Sequence, residues 1–248
     1  MQGAGGAFRL VGLELLLGTF VLMWAAMLVW RVVGRGHYRA ALWVLFPLTM
    51  ALALTLPGGL KPSGIAGGLL FFMFLLAVYS QRPMLEWAGG ASASALALWL
   101  LAEAGARSCG GCPVGAVHAL VGAFFVGAVT HGMVLGHWYL NQPRLPIEPL
   151  RGAAAIVLLS VAASLVAGVV SYGKLMQAEV TAGIFALAAS PRGLWWAWMV
   201  LAVGTGVLGL LIRSTVSTRS TQSATGLLYV AMITALGAQF LLSLLLAS

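Results

Sequence analysis

The sequence predicts an all-α, polytopic integral membrane protein with about eight transmembrane helices and both termini on the outer side. Three observations carry this expectation. Hydrophobic residues make up 61% of the 248-residue chain and charged residues only 7%, whereas an ordinary soluble domain carries about 25% charged residues. The apolar residues fall into continuous runs of about 20, the length a helix needs to cross a hydrocarbon core of about 30 Å. The basic residues punctuate these runs singly, as loop residues of a membrane protein do. Continuous rather than alternating runs favour helices over a β-barrel. A soluble enzyme, a disordered chain and a nucleic-acid-binding module fit poorly, because the net charge of +8 is not gathered into a patch.

Eight stretches qualify as spans in chain order: 10–33, 38–57, 64–80, 84–103, 113–140, 150–173, 192–213 and 222–246. The first is too long for a signal-peptide core and is stopped by Arg31 and Arg35, so it belongs to the mature protein. The second contains Pro47, a candidate kink. The third is short and Gly-rich at its start, which leaves its boundary loose by a few residues. The connection around Arg144 carries Pro143, Pro146 and Pro149, a spacing that favours a stiff extended link. The longest connection, 174–191, holds Val180, Ile184, Phe185 and Leu187 among small residues. It reads equally as an interfacial helix or a partly ordered loop. Neither tail holds a soluble domain, so residues 1–248 read as a single transmembrane helical domain.

Eight spans place both termini on one side. That side carries Arg9, Lys61, Arg107, Lys174 and Arg192, and the other carries Arg31, Arg35, Arg39, Arg82, Arg144, Arg151, Arg213 and Arg219. The positive-inside rule assigns the second set to the cytoplasmic face of a bacterial inner membrane. Cys109 and Cys112 then lie outside, where a disulfide persists. No His follows Cys112, which excludes covalent c-type haem.

Glycine is 32 of 248 residues, and small residues let helices approach closely where lipid offers little drive for association. At 100° per residue, Gly115, His118, Gly122, Val129, Gly132 and Gly136 share one side of the fifth span. This smooth groove suits another helix, or a flat group laid along it. Trp87, Trp138, Tyr139, Trp195, Trp196 and Trp198 lie near span ends, where an aromatic belt is expected.

Ionisable and polar groups within spans are the candidates for chemistry. Glu14, His118 and Gln239 come from three helices at similar depth on the outer side, Glu14 about 6 Å inside its span at 1.5 Å per residue. A carboxylate and an imidazole there can relay a proton or hold a quinone head group. On the inner side, His131 and His137 close the fifth span and His37 opens the second. Separated by six residues, His131 and His137 point about 120° apart and cannot bind one metal from a regular helix. His37 with either of them can hold one b-type haem. No metal beyond haem iron is expected, since Cys109, Cys112 and His118 lack a fourth ligand for zinc.

The reading that joins these features is a membrane subunit of a respiratory-type electron-transfer complex. It provides a quinone- or haem-adjacent site, a membrane seat for partner subunits, or both. The alternatives are a scaffold or assembly protein without chemistry, and a small-solute transporter. Against the transporter stand the lack of a charge at any span centre and of an inverted repeat. The expected partners are the lipid bilayer and other subunits, without nucleic acid.

Overall fold

A computed structural model describes residues 3–142, 144–177 and 190–247. Among the described residues the regular structure is all helical: α1 (Gly3–Val29), α2 (Arg35–Thr55), α3 (Lys61–Ser80), α4 (Pro83–Ser108), α5 (Pro113–Asn141), α6 (Glu148–Val170), the single turn α7 (Tyr172–Leu175), α8 (Pro191–Ser217) and α9 (Thr221–Leu246). All but α7 are long and apolar enough to cross a membrane. The expected spans are therefore all present as helices, several of them longer than their hydrophobic runs. The α1 helix begins seven residues earlier than the apolar run implies, because Gly5, Ala7 and Phe8 continue a backbone that no proline or polar cap interrupts. Likewise α8 runs on through Arg213 to Ser217, with Thr215 and Ser217 hydroxyls bonded back to carbonyls of their own helix. The connection 178–189, with its expected interfacial segment, lies outside the described residues, as does Pro143.

Proline starts several helices and glycine shapes one turn. Pro occupies the first turn of α3, α4, α5, α6 and α8, where its missing N–H costs nothing and its φ suits a helix. Between α4 and α5 the chain reverses through Gly110 and Gly111, both at positive φ (70° and 97°), a region that a Cβ disfavours. The turn brings Cys109 and Cys112 together with Cα atoms 5.6 Å apart, joined as a disulfide. The Gly111 N–H caps the Ala106 carbonyl at 2.8 Å.

The helices pack as two rings of four. In one, α1 meets α2 and α4 while α3 joins α2 to α4; in the other, α5 meets α6 and α9 while α8 joins α6 to α9. The rings share a seam in which α5 packs on α1 and α4, and α9 packs on α1. This main pattern maps onto itself when α1–α4 are exchanged for α5, α6, α8 and α9. The chain ends meet at one end of the bundle, where the Gly3 N–H donates to the Ala247 carbonyl at 2.8 Å.

Small residues set the seam's spacing. A Cβ on Gly18 of α1 would fall inside the Ala123 carbonyl of α5, and one on Gly127 would lie 2.5 Å from the Gly18 carbonyl carbon. At the hairpin, Gly105 of α4 and Gly115 of α5 face each other's backbone with the same lack of room. Elsewhere a glycine seats an indole: Trp24 on Gly90, Trp30 on Gly152, Trp138 on Gly36 and Trp198 on Gly168. Trp195, Trp198 and Tyr139 are buried and so are not belt residues, while Trp87 and Trp196 are exposed as an aromatic belt requires. The outer surface is apolar through the middle of the helices, with Leu76, Leu98, Leu159, Val200 and Ile233 exposed.

The seam yields a direct prediction. Gly18→Ala forces two backbones apart and should cost about 1–3 kcal/mol, the usual penalty of overpacking. Gly204→Ala, where a Cβ meets nothing within 4 Å, should be neutral or gain up to about 1 kcal/mol of helix propensity. Thermal unfolding of the two variants in detergent checks the contrast, and equal shifts would refute the tight seam.

Candidate functional site

Of the three outer-side candidates the structure brings two together. Glu14 and Gln239 are both fully buried, and Gln239 Nε2 donates to Glu14 Oε1 at 3.0 Å. Gly122 of α5 makes the space: a Cβ there would overlap Gln239 Nε2 and stand 2.8 Å from Glu14 Oε1. Because α1 starts at Gly3, Glu14 lies about 16 Å along a 27-residue helix at 1.5 Å per residue. That is near its middle and deeper than the apolar run implied, so the expectation that no ionisable residue stands at a span centre fails at Glu14. Glu14 Oε2 and Gln239 Oε1 have no hydrogen-bond partner, and neither of the two ion pairs among the described residues involves Glu14.

His118 goes elsewhere. Its Nε2 lies 2.6 Å from Ser171 Oγ, just beyond the end of α6. Since the Ser171 hydroxyl donates to the Ala167 carbonyl, the imidazole donates through Nε2. This bond ties the start of α5 to the end of α6, so the expected three-way cluster is a pair and a separate tether. The glycine groove of α5 is likewise filled from within the chain. Gln239 lies over Gly122, Leu228 over Gly132 and Thr225 over Gly136, all three from α9. Thr225 is part of the polar start of α9, and it bonds back to the Thr221 carbonyl at 2.7 Å.

The inner-side histidines, in contrast, converge. His37, His131 and His137 line one cavity of about 350 Å³ bounded by α1, α2 and α5, with Met232 from α9. Leu15, Leu16, Thr19 and Met23 form the α1 wall, and Thr130, Met133, Val134 and Trp138 complete that of α5. The cavity exists because α2 leans on α3 and α1 and touches α5 only sparsely. Trp138 closes the end of the gap by packing on Gly36 and on the His37 ring, with centroids 5.5 Å apart.

The cavity has two polar features. His37 and His131 are each only 2% exposed, and the Nε2 atom of each is buried without a partner. Such atoms are costly unless something satisfies them. The Thr130 hydroxyl is spent on the Val126 carbonyl at 2.8 Å. His137 stands exposed at the rim. On the open side the wall is the α2 stripe Ala40, Val44 and Leu48, each exposed, so the cavity opens sideways onto the apolar outer surface. The other ring has the matching indole contact, Trp30 on Gly152 at the start of α6.

Sequence reasoning missed a second group at this end. Arg35 Nε binds Glu86 Oε1 at 2.6 Å, with Nη2 to Oε2 at 3.3 Å, joining the starts of α2 and α4. Arg39 packs over the Tyr79 ring at 4.4 Å and donates to the Val78 carbonyl at 3.2 Å. The signal was present: Glu86 is one of only five acidic residues and lies inside an apolar run, where a charge calls for a partner. No group of three or more His, Cys, Asp or Glu fit to hold a metal ion occurs among the described residues. No known protein family, curated protein sequence or solved structure matches this chain.

The Glu14–Gln239 pair gives a testable contrast. Gln239→Leu leaves a buried carboxyl without its one donor and should cost about 1–3 kcal/mol. Glu14→Gln keeps a carbonyl oxygen in place and should cost less. Unfolding midpoints rank the two, and the reverse order would show that the hydrogen bond does not hold α1 to α9.

Proposed function

We propose that this chain is an integral membrane subunit of an electron-transfer complex, and that the cavity between α1, α2 and α5 binds the ring of a quinone. The observation that carries the proposal is the pair of buried, unsatisfied imidazole nitrogens in an apolar cavity open to the outer surface. A membrane-soluble ligand enters such a cavity from the side. An Nε2–H donates to a quinone carbonyl oxygen, and the other tautomer accepts from a quinol hydroxyl. Thus one pair of histidines serves both redox forms, while the apolar tail leaves past Val44 and Leu48 into lipid.

Membrane insertion is supported by the exposed apolar side chains through the middle of the bundle, which in water would exceed what a monomer tolerates. The proposed orientation puts the eight-arginine end, with the histidine cavity, on the cytoplasmic side of a bacterial inner membrane. The termini and the Cys109–Cys112 disulfide then face outward. The partners in this arrangement are the bilayer and the redox subunits that deliver or remove electrons.

The fit favours quinone over b-type haem. A volume of about 350 Å³ is at the small end of ligand pockets, which run from about 300 to 1,000 Å³. No lysine or arginine lines the cavity to pair with haem carboxylates.

Titrating the purified protein with a short-tailed quinone should quench tryptophan fluorescence, since Trp138 is in the cavity wall. His37→Leu and His131→Leu should each weaken binding about tenfold, the worth of one hydrogen bond of about 1.4 kcal/mol. A reduced-minus-oxidised visible spectrum tests for haem in parallel. Absence of quinone binding together with a featureless spectrum would sink the redox proposal and leave a scaffold.

A further inference from the structure

Two openings meet at the first turn of α2, separated by one pair of residues. His37 faces the apolar cavity, and Tyr38, next in the chain, faces a wider depression of about 640 Å³. The walls of this depression come from the end of α1, the 30–34 connection and the start of α4. Its character is opposite to that of the first. Arg31 and Arg35 enter it from one side and Glu86 from the other, and the Arg35–Glu86 pair lies within it. Charged groups are costly to strip of water, so this depression is suited to admit water, whereas no Lys, Arg, Asp or Glu lines the histidine cavity. Tyr38 and His37 are each 2% exposed, and their rings meet edge to face with centroids 5.1 Å apart.

We infer that the depression is the water-side vestibule of the quinone cavity, and that His37 carries protons between the two. The inference rests on the quinone proposal above. Reduction of a bound quinone takes two electrons from the redox partner subunit and two protons from water, one to each ring oxygen, with no bond formed to the protein. His37 gives the proton on Nε2 to the nearer ring oxygen and takes its replacement from the vestibule past Tyr38, while the proton for the other ring oxygen enters at the rim beside exposed His137; quinol oxidation runs the same routes backwards. The other titratable groups on the cavity wall, His131 and His137, both belong to α5, and α1 and α9 contribute none. His37 is the imidazole that also lies against the vestibule wall, which distinguishes it from His131.

Gly34 offers a way to close the vestibule without entering the cavity. It lines the depression only, its backbone (φ −60°, ψ 150°) suits any residue, and a Cβ there meets nothing within 4 Å. Gly34→Trp should therefore plug the vestibule, and Met84→Trp, on the facing wall and 85% exposed, is a second plug should the first fail to fold. Two measurements read the result. Hydrogen–deuterium exchange at the imidazole C2 position of the intact protein, read by mass spectrometry of its proteolytic peptides, should slow several-fold at His37 and stay unchanged at His118 and His131. In the native assembly, quinone turnover should fall about a hundredfold or more, the scale of a lost positioned proton donor, while the Kd for a short-tailed quinone is unchanged. Unaltered His37 exchange in either plugged variant, or unaltered turnover, overturns the vestibule and leaves the quinone cavity standing. Failure of the parent protein to bind quinone overturns the cavity proposal and, with it, the role of His37, whichever way the exchange measurement falls.

Discussion

The backbone contact between α1 and α5 governs the rest of the bundle. Gly18, Ala123 and Gly127 bring two helices together with no side chain between them, the closest approach that helices can make. Once that distance is set, each helix has a fixed set of neighbours. The central α5 contacts α1, α4, α6 and α9, and its span is the most buried of the eight. The disulfide hairpin and the Gly105–Gly115 contact fix α5 to α4 at the end bearing the termini. The Glu14–Gln239 hydrogen bond then holds α9 in the remaining groove, over Gly122.

The cavity follows from the same constraint. Because α5 is drawn against α1 and α4, α2 cannot also reach it along its length, and a gap opens between α2 and α5. The two rings pair their helices alike, and each seats an indole on a glycine at this end, Trp138 on Gly36 and Trp30 on Gly152. The imidazoles of His37 and His131 are side chains added to that shared arrangement, and a site of this kind lives in side chains rather than in the helix pairing.

Much of the architecture was legible in the composition and in the spacing of basic residues. The eight long helices correspond to eight apolar runs, since run length is a local property and a helix satisfies its own backbone. The Cys109–Cys112 turn was legible for the same reason, its partners being three residues apart. Helix ends were not, because Gly5 to Phe8 and Arg213 to Ser217 extend helices by backbone hydrogen bonds that hydropathy does not register. His37, His131 and His137, grouped by the sequence, line one cavity, whereas of Glu14, His118 and Gln239 only two come together. Depth along a helix can be counted from the sequence, whereas rotation and lateral neighbours cannot. His118 accordingly meets Ser171, while Glu14 meets a residue 225 positions away.

The sequence by itself determined the all-helical fold class, the number of long apolar helices and the end of the bundle at which the histidines stand. These follow from residue counts and from 1.5 Å of rise per residue. Only the tertiary structure decided that α9 fills the glycine groove of α5 and that Glu14 pairs with Gln239. It also decided that His37 and His131 share one largely apolar cavity, with a depression holding Arg35 and Glu86 behind Tyr38. Each of these depends on which helices are neighbours, and that was set by contacts between glycines far apart in the chain, whose pairing no local pattern encodes.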